Sequence, residues 1–197
     1  MKQIQSRELL EAFKADTRKI ILRLSYLRKE DPETLLHQPS PGKWSVAQVL
    51  EHLVSYGRYY LPLIQKEIQK NNYPYNPLFI SGWLGAYFTK SMLPKENDQV
   101  KNKMKAPTNH RPTNDLDCKK VLDEFASQQQ LLLELLEVAG QTDLNKITIS
   151  ISIAKWIKIR LGDSFGFIIA HHQRHFVQIE NTLKMIKPSA RLHSETF

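Results

Sequence analysis

Apolar residues recur every three or four positions through four long stretches of the chain, a spacing that predicts four amphipathic helices. The first runs from Ser6 to about Arg28, with Leu9, Leu10, Phe13, Ile20, Ile21, Leu24 and Leu27 on one stripe. Asp31-Pro32 is expected to end it, since proline cannot continue the hydrogen-bond ladder. Gln38-Pro39-Ser40-Pro41-Gly42 reads as a loop. The second helix opens at Ser45, which can cap it. Gln48 follows three residues later as in a capping box, and Trp44 is placed to staple against a later apolar side chain. Val46, Val49, Leu50, Leu53, Tyr56, Tyr60, Leu61 and Ile64 point this helix at a core, and Pro62 is expected to kink it or end its regular part.

Residues 71–114 carry Pro74, Pro77, Pro94, Pro107 and Pro112 and predict a long connector with one short helix around Ser81–Met92. A connector of that length is expected to be functional or packed on the core. The third helix starts near Asn114 or Asp115 and runs through Val121, Leu122, Phe125, Leu132, Leu135 and Leu136 to a glycine stop at Gly140. Ile147–Ile153 alternates with period two, and with no partner strand in view it reads as an extended connector rather than a sheet. Asp163 or Ser164 is expected to cap the fourth helix, which ends near Ile186 before Pro188. The pattern gives an all-α helical bundle, one domain over 1–188, with a loose C-terminal tail over 189–197.

Composition narrows the class. With 197 residues, 41% of them hydrophobic and only seven glycines, the chain is neither disordered nor collagenous. Cys118 stands alone, so no intramolecular disulfide is available, and the opening residues Met1–Glu8 lack the apolar core of a secretory signal. A cytoplasmic location is expected. The longest apolar stretch, Pro77–Pro94, is broken by Lys90 and two glycines and falls short of a membrane span, so no membrane partner is expected. The net charge of +8 is spread over Arg18-Lys19, Lys66–Lys70, Lys95–Lys105 and Lys155–Arg160 without one aromatic-laced basic face. Nucleic acid is therefore not expected as a partner.

The seven histidines are the chemically informative feature. His37, His110 and His193 fall in predicted loops or the tail, where an exposed histidine means little. His171 and His175 lie four apart on the fourth helix, about 6 Å along one face, and can share a metal ion. His172 with His175 is the competing pair at i, i+3. His52 on the second helix offers a third nitrogen from a facing helix. On an apolar face it also fits a hydrogen-bonded core histidine, so ligand and core readings both stand at this point. Zinc-protease, Cys-pair, dinucleotide and phosphate-loop motifs are absent.

Two motifs then carry a resemblance. Trp44-Ser45-Val46-Ala47-Gln48-Val49-Leu50-Glu51-His52-Leu53 resembles the opening of the second helix in the DinB/YfiT-like superfamily. Leu161-Gly162-Asp163 followed by His171-His172-Gln173-Arg174-His175-Phe176-Val177-Gln178 resembles its fourth-helix H-x-x-x-H-x-x-Q signature, and the connector with Lys103 and Ala106-Pro107 is similar to that of many members. The likeness runs from about Leu9 to Ile186. It implies an up-down-down-up four-helix bundle with a long connector between helices two and three. It also implies a divalent metal, nickel or zinc, with manganese as a further option, held by His52, His171 and His175. His172 is not a ligand position of the family.

Characterised members of that superfamily include thiol S-transferases using bacillithiol, mycothiol-dependent isomerases and metal-binding domains of sulfur-transfer enzymes; many others are described as metal-dependent hydrolases. The resemblance therefore implies a small-molecule substrate, with a low-molecular-weight thiol or water activated at the metal. Tyr56, Tyr60 and Ser81–Met92 are candidates to line its pocket, and a homodimer through Phe79–Met92 is expected. The alternative is a non-catalytic metal-binding or interaction bundle. Such a structural site takes four protein ligands, and no fourth is evident.

Overall fold

A computed structural model describes residues 3–94 and 105–187. The expected tail with His193, Lys103, and the Lys95–Lys105 run apart from Lys105 itself lie outside the described residues. In chain order the elements are β1 (Gln3–Gln5), α1 (Ser6–Leu27), α2 (Pro32–Leu36), α3 (Val46–Lys70), β2 (Leu78–Ile80), α4 (Trp83–Met92), a 3-10 turn (Thr108–His110), α5 (Cys118–Ala139), β3 (Thr148–Ile151), β4 (Ala154–Arg160) and α6 (Leu161–Ile186). The chain is mostly helical, as expected, with two small antiparallel ribbons added.

The four long helices pack in pairs: α1 and α3 each lie against both α5 and α6. Their apolar stripes form two clusters. One gathers Tyr60, Ile64, Leu132, Leu136, Phe165 and Ile168. The other gathers Leu24, Leu50, Leu53, Phe125, Phe176 and Ile179. Each such side chain taken from water stabilises the fold by about 1.5–3 kcal/mol before entropy is counted. The two clusters meet along α3 between Val54 and Tyr56, and along α6 between Ile169 and Phe176. His52, His171 and His175 sit at or beside that seam.

Local chemistry fixes the entry to α3. Lys43 N–H donates to the Ser40 carbonyl across Pro41-Gly42, and Gly42 takes φ +76°, which a side chain would resist. Ser45 then caps α3. Its hydroxyl accepts from Gln48 N–H at 3.2 Å, while Gln48 Oε1 accepts from Ser45 N–H at 3.0 Å, so the capping box is complete.

Five expectations are corrected. α3 passes through Pro62 without a break, because Pro62 and Arg58 both face outward and water can satisfy the carbonyl that proline leaves free. α1 already stops at Leu27. Asp31-Pro32 begins α2 instead, with Asp31 accepting from Thr34 N–H at 2.7 Å and Pro32 at the first helical position, where no N–H is needed. α5 starts at Cys118, capped by Asp117 rather than from 114 or 115. The Ile147–Ile153 stretch does have a partner: β3 pairs with β4 in register Ile149↔Ile159, where Lys155, Lys158 and Arg160 read in sequence as a charge cluster. Finally, α6 begins at Leu161, and Asp163 serves another element. Its carboxylate accepts from Ser81 Oγ at 2.5 Å and from Gly82 N–H at 2.9 Å, holding the chain that leads into α4 from across the structure. Burial raises the pKa of that carboxyl.

Candidate metal centre

Three imidazole nitrogens converge where α3 meets α6. His171 Nε2 lies 3.2 Å from His52 Nε2 and 3.0 Å from His175 Nε2, and the three ligand atoms all fall within 4.8 Å of one another. In a tetrahedral site with bonds of about 2.0–2.1 Å, two ligand nitrogens stand roughly 3.3 Å apart. The spacing of this cluster is of that order. All three residues are buried.

For two of the rings the far side decides which nitrogen faces the centre. His52 Nδ1 lies 2.7 Å from the His110 carbonyl, which can only accept, so Nδ1 carries the proton and Nε2 keeps its lone pair. His175 Nδ1 lies 2.8 Å from Gln178 Oε1, with the same consequence. Two lone pairs thus point at one nitrogen of His171, whose single proton could satisfy only one of them. A cation satisfies all three. Burial also lowers the pKa of His52 and holds His171 and His175 well below the ordinary imidazole value, so each ring stays in the neutral, ligating form. The donor set fits a divalent ion, and no fourth His, Cys, Asp or Glu joins it among the described residues.

Aromatic rings enclose the centre. Phe167 stacks parallel to His171 at 5.8 Å, Tyr56 lies 4.4 Å from the same ring, and Trp44 lies 5.1 Å from His52. All three histidines also line a cavity of about 930 Å³ whose walls include Tyr56, Tyr60, Phe88 and Met92. The expected contribution from Tyr56, Tyr60 and the short connector helix is thus present.

The structure separates the two histidine pairs that spacing left open. His172 turns away from the centre, packs edge-on against Phe125 at 5.3 Å, and is pushed down to about 3 by burial. His110 is the residue that sequence reasoning missed. It is buried, stacks on Tyr56 at 3.8 Å, and contacts Ser55 Oγ through Nδ1 at 2.9 Å. Its burial comes from a single 3-10 turn, which leaves no periodic signal; the flanking Pro107 and Pro112 were the only hint of a fixed turn. His37 is exposed, as expected of a loop histidine.

No helix among the described residues is long and apolar enough to cross a membrane. No curated protein and no solved structure gives a significant match to the chain. The family comparison does: the DinB superfamily matches over residues 9–179, from α1 to α6 and across all three clustered histidines, and the chain belongs to that superfamily.

Proposed function

We propose that this protein is a metal-dependent enzyme in which His52, His171 and His175 hold one divalent ion, nickel or zinc before manganese. The observation that carries the reading is a set of three neutral imidazoles, without a fourth protein ligand among the described residues, on the wall of a large pocket. A structural site closes with four protein ligands, whereas a catalytic one keeps a position for substrate. Three ligands on a pocket therefore favour catalysis over the non-catalytic bundle. We read the four long helices as the up-down-down-up bundle of the superfamily, in one domain over 1–188.

A divalent ion held there supplies Lewis acidity, which lowers the pKa of a thiol or water at its open position towards neutrality. The chain's own residues prepare that position. The His110 carbonyl and the Gln178 side chain hold His52 and His175 in the tautomer that presents Nε2. Phe167 and Tyr56 cover the faces of His171 and keep bulk water from it. Superfamily membership supports transfer of a low-molecular-weight thiol to an electrophile as the reaction, with hydrolysis as the second reading.

The test is consumption of monochlorobimane and of 4-nitrophenyl acetate by metal-loaded protein, with and without cysteine, glutathione, bacillithiol or mycothiol. Bimane conjugation that needs a thiol and disappears in His171→Ala supports the transferase. Ester cleavage without thiol, lost in the same variant, supports the hydrolase. Neither activity with any thiol counts against both.

A further inference from the structure

We propose that the pocket over the histidines takes a small anion carried on a flat apolar body, with the anionic group drawn to the basic mouth and the body laid along the aromatic wall. This deepens the metal-enzyme reading and rests on it only for which end of the molecule reacts.

The charge of the lining is one-sided. Lys43, Lys105, Arg111 and Arg174 line the cavity, and no Asp or Glu does among the described residues. The chain carries 20 acids against 28 bases, so an unselected set of four charged side chains would include an acid or two. Lys43, Lys105 and Arg111 are exposed, and Arg174 is buried. Several bases elsewhere pair with acids, as Arg58 does with Glu51 and Glu124 and Lys14 with Glu11 and Glu137. None of the three exposed pocket cations makes such a pair among the described residues. Lys43 Nζ approaches Met185 Sδ at 4.0 Å, and Arg111 Nε donates to the Ala106 carbonyl at 3.1 Å.

The floor adds to the same sign. Three neutral imidazoles bring no negative charge, so a divalent ion among them would keep its full charge, unlike one held by carboxylates. Positive groups in a cleft with low-dielectric walls focus the field and raise the local concentration of anions. The walls are rich in flat aromatic rings: Trp44, Tyr56, Tyr60, Tyr87, Phe88 and Phe167. Tyr87 is largely exposed, an aromatic face open to a ligand. Aromatic faces take planar groups by offset stacking. A cationic substrate would find no carboxylate counter-charge among the described lining residues.

The probes are 1-anilinonaphthalene-8-sulfonate and its uncharged parent, N-phenyl-1-naphthylamine, titrated by fluorescence against the purified full chain, with metal content measured on the same sample. The sulfonate should bind about tenfold tighter than the parent. Lys43→Glu/Arg111→Glu should remove that preference and leave the parent within about twofold. Lys43→Gln/Arg111→Gln, a milder change, should remove most of it. Lys66→Glu/Lys70→Glu, an equal change in net charge on exposed positions of α3, should move neither probe by more than about twofold. Equal affinity for both probes, no binding of either, or the same loss from the α3 control would overturn the proposal. A metal-loaded sample without the preference overturns this inference alone. A sample that stays metal-free after reconstitution with nickel, zinc and manganese yet shows the preference upholds it while overturning the metal centre.

Discussion

His110 turns its backbone carbonyl onto His52, accepting a hydrogen bond from Nδ1 at 2.7 Å across 58 residues of sequence. The same residue stacks on Tyr56 and meets Ser55 Oγ, so the 3-10 turn is held to α3 by three contacts within five residues of that helix. A turn in the long connector thereby sets which nitrogen of an α3 histidine faces the cluster. Outer partners of this kind orient ligands and raise their basicity.

Removing the ring of His110 tests that link. His110→Ala keeps the carbonyl but loses the stack and the Ser55 contact, and metal affinity should fall about tenfold. Competition with a chromophoric chelator reads this directly. Unchanged affinity would show that the turn holds its place without the ring.

Gln178 makes the equivalent contact for His175 from within α6. Gln178→Leu should weaken metal binding by about tenfold, whereas Gln178→Glu, which can still accept from Nδ1, should retain it. Equal losses in both variants would point to packing rather than hydrogen bonding.

Much of this arrangement could be read along the chain, for identifiable reasons. Leu9 to Leu27 and Val121 to Leu136 repeat at helical spacing, and the capping box at Ser45 and Gln48 is a local code, so those elements were legible. The i, i+4 spacing of His171 and His175 placed them on one face, but spacing alone could not dismiss His172; its contact with Phe125 does. The β3–β4 ribbon was hidden because Lys155, Trp156 and Lys158 look outward and mimic a charged stretch. Asp163 looked like the cap of its own helix because its partners, Ser81 and Gly82, are about eighty residues away in sequence. His110 owes its burial to tertiary packing, which no local pattern records.

Gly162, in the first turn of α6, has no room for a side chain. A Cβ there would lie 2.6 Å from the ring of Phe79, itself buried in the core. Gly162→Ala should therefore destabilise the fold by about 1–3 kcal/mol, seen as a lower denaturation midpoint with an unchanged slope. A midpoint shift worth less than about 0.5 kcal/mol would mean that Phe79 moves aside freely.

Stability should fall in mild acid. Burial lowers His172 to about 3 and His110 to about 4, whereas an unfolded histidine titrates near 6.5. Below that unfolded value the unfolded chain binds protons that the folded chain refuses. The contribution of each ring is therefore complete above pH 6.5 and is lost as pH drops towards the folded value. The expected slope is about 1.4 kcal/mol per pH unit for each such ring between roughly pH 6 and 4. His172→Gln should flatten the measured slope by one ring's share, in urea unfolding followed across that range. An unaltered slope would mean that His172 gains its proton while folded.

The most direct test of the central claim is the metal content of purified, untagged protein by elemental mass spectrometry, beside a His52→Ala/His171→Ala variant. The convergence of three neutral imidazoles predicts about one equivalent of divalent metal in the wild type and none in the variant. No metal in the wild type, even after reconstitution with nickel, zinc and manganese, would contradict the account and leave His52, His171 and His175 as buried polar residues of the core.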